Sequence, residues 1–301
     1  MSRSAASRAN RRGEPPPSPE PLPSPAPDSH THLDIVLGAR PGDDDEGDLP
    51  TPEQVDAEIA AAVAVGVPRL VQVGVDVASS LWSAELAARH RHVLAAVAVH
   101  PNEAGAGRAG DDALAEIDRL AALPRVRAVG ETGLDRYRTG PEGWAAQEAS
   151  FRAHIRIAKQ RGVALVVHDR DAHGEILRVL EDEGAPEHTV LHCFSGDAGF
   201  AKACVERGYV LSFAGTLTFG NAAYLREAAA LTPVDQLLVE TDAPFLTPMP
   251  HRGRPNASRL VPHTVRALSE VTGVALDQLC EALTSTAERV FGTWDGRVPP
   301  S

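Results

Sequence analysis

The chain has 301 residues, of which 43% are hydrophobic, 23% charged and 4% aromatic, a composition typical of globular proteins rather than of fibrous or disordered ones. Its 29 Lys and Arg against 41 Asp and Glu give a formal net charge of −12, which argues against a broad basic face for nucleic acid. A small phosphate site is still compatible with this charge. The longest apolar stretch, Ile59–Val67, is far shorter than the roughly 20 residues of a membrane helix, so no membrane partner is expected.

The first 27 residues differ in composition from the rest of the chain. They are rich in Arg, Ser and Pro and lack the apolar segment of an export signal, although a transit peptide is a weaker alternative. We expect residues 1–27 to form a disordered, dispensable tail, residues 28–296 to form the folded domain, and residues 297–301 to form a second tail. The three cysteines, Cys193, Cys204 and Cys280, show no CxxC spacing, which predicts a reducing, cytoplasmic location.

From Asp28 onward, short β-branched runs alternate with amphipathic segments, a pattern that predicts a parallel sheet with helical crossovers. Eight candidate strands end near His30, Gly74, His100, Glu131, His168, His192, Ser212 and Thr241. Helices are predicted from Thr51 and over Asp111–Leu123, Gly143–Arg161, Asp171–Glu183, Asp197–Arg207, Ala222–Leu231, Pro262–Val271 and Ala275–Val290. The fold class predicted is α/β, a (β/α)8 TIM barrel with C-terminal helices.

The segment Ala39–Asp48 contains the acidic run Asp43–Glu46. A dense group of carboxylates can bind calcium, but this run lacks the spacing of an EF-hand loop. We therefore expect a solvated surface loop.

Metal-competent residues follow the ends of several predicted strands. In residues 28–34, DSHTHLD, two histidines lie two positions apart, and alternate strand residues point to the same face. The carboxyl ends of barrel strands converge on one mouth, so all these residues are expected to meet there. The six candidates are His30, His32, Glu131, His168, His192 and Asp242.

Four imidazoles and two carboxylates exceed what one tetrahedral ion needs. Two divalent ions bridged by a carboxylate would use all six, which predicts a binuclear hydrolase site. Histidine-rich ligation suits Zn or Mn by softness, whereas Mg is a further choice, so the identity of the metal stays open.

Six segments stand in the order and spacing typical of one family: DSHTHLD, GETGLDRY, VVHDRDA, HCFSG, ETDAPFLTP and HRGRPN. The chain from Asp28 to about Gly292 resembles the TatD family of metal-dependent deoxyribonucleases. Related amidohydrolases usually carry a carboxylated lysine where Glu131 stands, and both lysines of this chain fall in predicted helices. The resemblance implies a TIM barrel and metal-dependent DNA hydrolysis, often from 3′ ends. Arg136 departs from the pattern, because an aromatic residue often follows GLD.

The resemblance also implies a role for each candidate ligand. The first ion would be held by His30, His32 and Asp242, and the second by His168 and His192, with Glu131 bridging the two. Asp242 would in addition accept the proton of the attacking water as general base.

Other residues near the strand ends are candidates for substrate contact. His100 ends the third strand and is either a phosphate contact or a structural cap. Arg170, Arg252 and Arg254 are candidate phosphate clamps, because the guanidinium fork matches phosphate oxygens. Ser195 begins a helix whose free N–H groups suit an anion. Six further histidines are expected at the surface: His90, His92, His154, His173, His188 and His263.

These observations predict a cytoplasmic hydrolase that cleaves DNA phosphodiester bonds as a 3′–5′ exonuclease, on single-stranded DNA or frayed ends. A sister hydrolase acting on an amide, lactone or phosphotriester is the alternative enzyme. A scaffold that keeps its metal ions for structure is the alternative from another class.

Overall fold

The computed structural model describes residues 13–38 and 49–294. Eight strands form one parallel sheet in which the spatial order follows the chain order. Their bounds are Pro27–Thr31 (β1), Arg69–Val73 (β2), Val93–Val97 (β3), Val126–Asp135 (β4), Ala164–Arg170 (β5), Thr189–Leu191 (β6), Val210–Phe213 (β7) and Leu237–Val239 (β8). Thr31 pairs in parallel with Ala243, just beyond β8, and this pairing closes the sheet. The predicted TIM barrel is therefore confirmed.

Helices connect the strands on the outside of the barrel. Their bounds are Leu33–Val36 (α1), Pro52–Ala64 (α2), Val77–Arg89 (α3), Pro101–Gly105 (α4), Asp111–Ala121 (α5), Pro141–Arg161 (α6), His173–Glu183 (α7), Ala198–Val205 (α8), Ala223–Leu231 (α9), Val261–Thr272 (α10) and Leu276–Phe291 (α11). Within the described ranges, none of these helices combines the length and apolar composition needed to cross a bilayer.

The predicted helices are all present, with ends that differ by a few residues, but the sequence analysis omitted α1, α3 and α4. Helix α3 has buried serines on the face that packs against the barrel, so its sequence lacks the apolar stripe that predicts a packed helix. The helix begins at a cap that sequence rules do describe, since the Asp76 carboxylate accepts a hydrogen bond from the Ser79 amide at 2.7 Å.

The apolar residues form two layers, one inside the barrel and one between the sheet and the helices. Val71 and Val73 of β2 belong to the inner layer, whereas Leu70 belongs to the outer one, as the two-residue period of a strand requires. Phe291, the last residue of α11, and Trp294 pack against the inner layer and cover the end of the barrel at which the strands begin. The amino-terminal end of the barrel is therefore filled by side chains, and the cavity lies at the carboxyl ends of the strands.

A glycine allows β4 and β5 to approach closely near the mouth. Gly133 pairs with His168 and has a φ of 140°, in the region that favours glycine. A Cβ atom at this position would overlap the carbonyl oxygen of His168. The close approach aligns the β4 segment that carries Glu131 with the β5 segment that carries His168.

Residues 13–27 differ from the disordered tail that the sequence predicted. The Leu22 amide donates to the Val65 carbonyl, and the Ala26 amide donates to the Gly66 carbonyl, each at 3.0 Å. Leu22 and Ala26 are buried. A Pro-rich composition indicated disorder, but these few apolar contacts and backbone hydrogen bonds hold the segment against the barrel.

The tail residues 1–12 and 297–301 and the acidic loop Ala39–Asp48 lie outside the described residues. The predictions made for those segments stay predictions.

Replacing Leu22 by Ala should lower the melting temperature by about 4–10 °C, because deletion of a buried Leu side chain costs about 2–4 kcal/mol. Glu20→Ala is the matched control, since its side chain is exposed in the same segment. Thermal unfolding followed by circular dichroism measures both variants. Equal melting temperatures for Leu22→Ala and the wild type would show that residues 13–27 do not contribute to folding.

Candidate metal centre

The six candidate ligands meet at the mouth of the barrel, around a cavity of about 620 Å³. Five of them line this cavity, and His30 lies behind them, fully buried. The strands supply three: His30 near the end of β1, Glu131 in β4 and His168 in β5. His32 directly follows β1. His192 and Asp242 come just after β6 and β8.

The Glu131 carboxylate stands between two groups of imidazoles. Its Oε1 atom lies 3.6 Å from Nε2 of both His30 and His32. Its Oε2 atom lies 3.0 Å from Nδ1 of His168 and 2.8 Å from Nε2 of His192. Each carboxylate oxygen therefore faces its own pair of histidines, the arrangement that a bridging ligand requires.

Asp242 completes the group on the Oε1 side. Its Oδ1 atom lies 3.5 Å from Nε2 of His32 and 3.9 Å from Nε2 of His30, and these two nitrogens are 3.2 Å apart. Asp242 has a φ of 51°, a left-handed conformation that Asp adopts more readily than most residues. The pairing of β1 with the segment after β8 holds these three donors together.

Hydrogen bonds on the far side of two rings fix which nitrogen faces the centre. Nδ1 of His32 lies 2.9 Å from the Val73 carbonyl oxygen, and Nδ1 of His192 lies 3.2 Å from Oε1 of Glu240. In the neutral rings Nδ1 therefore carries the proton, and the lone pair of Nε2 points at Glu131. This second contact is typical of metal-binding histidines, so the donor set fits divalent metal ions.

The charges of the cluster control its proton affinities. Burial alone would lower the pKa of His32, but the hydrogen bond to Asp242 and the charges of Glu131 and Asp242 raise the pKa to about 9. Burial alone would raise the pKa of Glu131, yet the neighbouring imidazoles hold it well below its usual value. Glu131 is therefore ionised, and the cluster attracts positive charge, as protons or as metal ions.

His100 lies beside the second group and has the capping role, one of the two that the sequence left open. Its Nδ1 accepts a hydrogen bond from the Asn102 amide at 3.0 Å, as the cap of α4. Burial lowers the pKa of His100 to about 3, so the ring is neutral and its proton is on Nε2. That Nε2 lies 3.6 Å from Oε2 of Glu131, and as an N–H group it suits a phosphate oxygen better than a metal ion.

The candidate substrate residues fall into two sets. Arg170 and Ser195 line the cavity, and the Ser195 hydroxyl donates to the Asp169 carbonyl at 3.3 Å. Arg252 and Arg254 lie on the loop after β8 and do not line it. Arg252 stacks over Phe219, with Cζ 4.2 Å from the ring centroid.

Arg254 has a structural contact that the sequence analysis did not foresee. Its Nε donates to the carbonyl oxygen of Glu14 at 3.0 Å, which ties the N-terminal segment to the loop after β8. Arg254 as a whole is partly buried, whereas Arg252 is exposed.

Sequence reasoning missed three carboxylates near the centre. Glu240 is fully buried against His192, and Oδ2 of Asp135 lies 3.4 Å from Nε2 of His168. Asp28 is buried between β1 and β8. Their signal was their place in the same motifs, within a few residues of the recognised ligands.

His154 was predicted at the surface, and that prediction is wrong. The ring is fully buried, its Nε2 accepts from the Val99 amide at 3.1 Å, and its Nδ1 donates to the Ser150 carbonyl at 2.7 Å. Burial lowers the pKa of His154 to about 4. Because Val99 precedes His100, His154 fixes the backbone that carries the latter.

A closed (β/α)8 barrel with histidines and carboxylates at the carboxyl ends of its strands defines the class of TIM-barrel metal-dependent hydrolases. The family model described as TatD related DNase matches residues 27–292, and the chain belongs to this family.

Relatives and solved structures agree with this assignment. A Mycobacterium tuberculosis protein named uncharacterized metal-dependent hydrolase TatD is 47% identical over 238 residues, 78% of this chain and 89% of that protein. A Citrobacter rodentium protein named 3′-5′ ssDNA/RNA exonuclease TatD is 35% identical, over 79% of this chain and 91% of that protein. The crystal structure of the TatD homologue YjjV from Escherichia coli matches with a TM-score of 0.79 and 24% identity, covering 89% of this chain and 98% of that one.

A binuclear centre predicts that replacing Glu131 by Gln reduces the bound metal from two ions per chain to one or none, because the amide lacks the charge and the second acceptor oxygen that bridging needs. Elemental analysis of dialysed protein measures the stoichiometry. Glu103→Gln is the control, since Glu103 also lines the cavity but pairs with Arg108. Two ions per chain in Glu131→Gln would contradict a bridging role.

Proposed function

We propose that this chain hydrolyses phosphodiester bonds of DNA with two divalent metal ions, as a 3′–5′ exonuclease on single-stranded DNA or frayed ends. The observation that carries the proposal is the Glu131 carboxylate, whose two oxygens face two separate pairs of histidines. The direction of cleavage and the nucleic acid substrate are supported by the name of the Citrobacter relative. The proposed location is the cytoplasm.

Unpaired arginines beside the centre favour a phosphate substrate. Arg138 and Arg170 line the cavity, and neither forms an ion pair with any residue in the described ranges. By contrast, Arg136, which does not line the cavity, makes a bidentate pair with Glu175, at 2.6 and 2.9 Å. Guanidinium groups left without carboxylate partners match the oxygens of a bound phosphate chain.

Bound divalent ions would supply Lewis acidity, which makes water a stronger nucleophile and offsets the charge that builds on the phosphoryl oxygens. Glu131 and the histidines would hold the ions, and we propose Mg, Mn or Zn. Asp242 is the candidate base, because its side chain is 15% exposed whereas that of Glu131 is 6% exposed. A water at the centre thus reaches the Asp242 carboxylate more readily.

The surrounding groups would bind and orient the substrate. The Nε2–H of His100 donates to a phosphoryl oxygen, and Arg170 and Arg138 bind the neighbouring phosphates. Ser195 also lines the cavity and would offer its hydroxyl to the substrate there. Arg252 does not line the cavity and would contact the nucleic acid strand outside it.

A panel of metals and substrates tests the proposed function on the purified protein. Mg, Mn and Zn are each combined with single-stranded DNA, double-stranded DNA, RNA and a dihydroorotate-like amide. The proposal expects the fastest turnover on single-stranded DNA, with mononucleotides released from the 3′ end. Turnover of the amide alone would favour the sister hydrolase, and bound metal without any turnover would favour a structural role for the ions.

Replacing Asp242 by Asn should retain most of the metal but lower single-turnover cleavage by about 10²–10⁴-fold, because the amide keeps one coordinating oxygen and accepts no proton at neutral pH. Metal content and cleavage are measured on the same preparation between pH 6 and 9. Cleavage within about threefold of the wild type, with both ions bound, would exclude Asp242 as the base.

A further inference from the structure

An exposed aromatic side chain stands on the rim of the cavity. Tyr137 follows β4 and is 67% exposed, the largest exposure among the large hydrophobic side chains of the described residues. One face of its ring is covered by the guanidinium of Arg170, with Cζ 4.1 Å from the ring centroid. None of the other aromatic rings in the described part of the chain packs against Tyr137.

The backbone holds this pair in a defined position next to the metal centre. Asp135 pairs with Arg170 in the β4–β5 register, and the Arg136 amide donates to the Arg170 carbonyl at 2.9 Å. Oδ1 of Asp135 accepts from the amides of Tyr137 and Arg138, at 3.0 and 2.7 Å. The turn that carries Tyr137 is therefore fixed by the same carboxylate that faces His168.

The two side chains lie at different distances from the cavity, so each can contact a different part of a bound substrate. Arg170 lines the cavity and Tyr137 does not, so Arg170 lies on the cavity side of the pair. A guanidinium stacked on a ring keeps its N–H donors in its own plane, where they reach phosphate oxygens. The other face of the ring stays open to a flat group bound outside the cavity.

We propose that Tyr137 and Arg170 form a nucleotide subsite for single-stranded nucleic acid, in which Arg170 binds a backbone phosphate and Tyr137 stacks an unpaired base. This inference rests on the proposed function. Tyr137 lies outside the cavity, and we place there the strand that an exonuclease acting from a 3′ end retains, so the stacked base belongs to a nucleotide on the 5′ side of the scissile phosphate. A base inside a duplex already has both faces stacked, so the subsite selects single strands.

Kinetics of two Tyr137 variants test the stacking surface on a single-stranded oligodeoxynucleotide. Tyr137→Ala should raise KM about tenfold or more, with kcat little changed, whereas Tyr137→Phe keeps the ring and should match the wild type. Trp144→Leu is the matched control, because Trp144 also stacks with an arginine, Arg136, that is already paired with Glu175. A KM within twofold of the wild type for Tyr137→Ala would overturn the subsite.

Two substrates without bases separate this inference from the proposed function. On an oligonucleotide that is abasic on the 5′ side of the cleaved bond, wild type and Tyr137→Ala should have equal KM values. On bis(p-nitrophenyl) phosphate, both should turn over equally, which also excludes misfolding as the cause of a higher KM. Absence of hydrolysis on every phosphodiester would refute the proposed function. Hydrolysis in which Tyr137→Ala keeps the wild-type preference for the base-containing over the abasic oligonucleotide would refute the subsite alone.

The salt dependence of binding isolates the phosphate contact. Arg170→Ala should reduce the slope of log KM against log salt concentration by about 1, whereas Tyr137→Ala should leave that slope unchanged. An unchanged slope in Arg170→Ala would show that this guanidinium does not bind phosphate.

Discussion

The pairing of β1 with the segment after β8 is the constraint on which the candidate centre depends. Asp28 accepts hydrogen bonds from the amide and the hydroxyl of Thr241, at 2.9 and 2.6 Å, across a separation of 213 residues in the chain. Burial raises the pKa of Asp28 to about 6, although these hydrogen bonds favour its ionised form. The same closure makes His30 and Asp242 neighbours, because the Asp242 amide donates to the His30 carbonyl at 3.0 Å. The first and last motifs of the sequence thus form one group of donors.

The centre buries ionisable side chains inside the barrel mouth, where apolar side chains would cost less free energy. Glu131 and Glu240 are buried, and removing such groups from water costs several kcal/mol per ion unless partners offset the cost. The imidazoles offset part of it, as the raised pKa of His192 beside these two carboxylates indicates. Divalent cations bound only by the folded state would offset more of it, so metal affinity and folding stability are coupled at this site.

The positions of the main candidate ligands could be predicted because they obey simple geometric rules. His30 and His32 follow from the two-residue period of a strand, and their meeting with Glu131 and Asp242 follows from the convergence of strand ends in a barrel. Residues whose role depends on a contact across the fold could not be predicted in the same way. His154 lies in a helix, and the sequence alone did not show that its side of the helix packs beneath His100.

The N-terminal segment illustrates another limit of composition. Proline-rich sequence lacks the hydrophobic content for a core of its own, and this property predicts disorder. Leu22 needs no core of its own, since a groove formed by the end of α2 and the turn at Gly66 receives it. Whether such a segment is ordered depends on the surface beside it, which only the folded barrel defines.

The net charge of −12 is an average that conceals how charge is distributed. On the outer surface, arginines are neutralised by carboxylates, as where Arg152 contacts Glu148, Asp182 and Glu183. At the mouth, Arg138 and Arg170 have no such partners in the described ranges. The carboxylates of the centre lie at the same mouth, so divalent ions bound there would complete its attraction for a polyanion that the acidic body of the protein repels. This distribution favours a nucleic acid strand that enters by its end over one that wraps along the surface, as the proposed exonuclease activity requires.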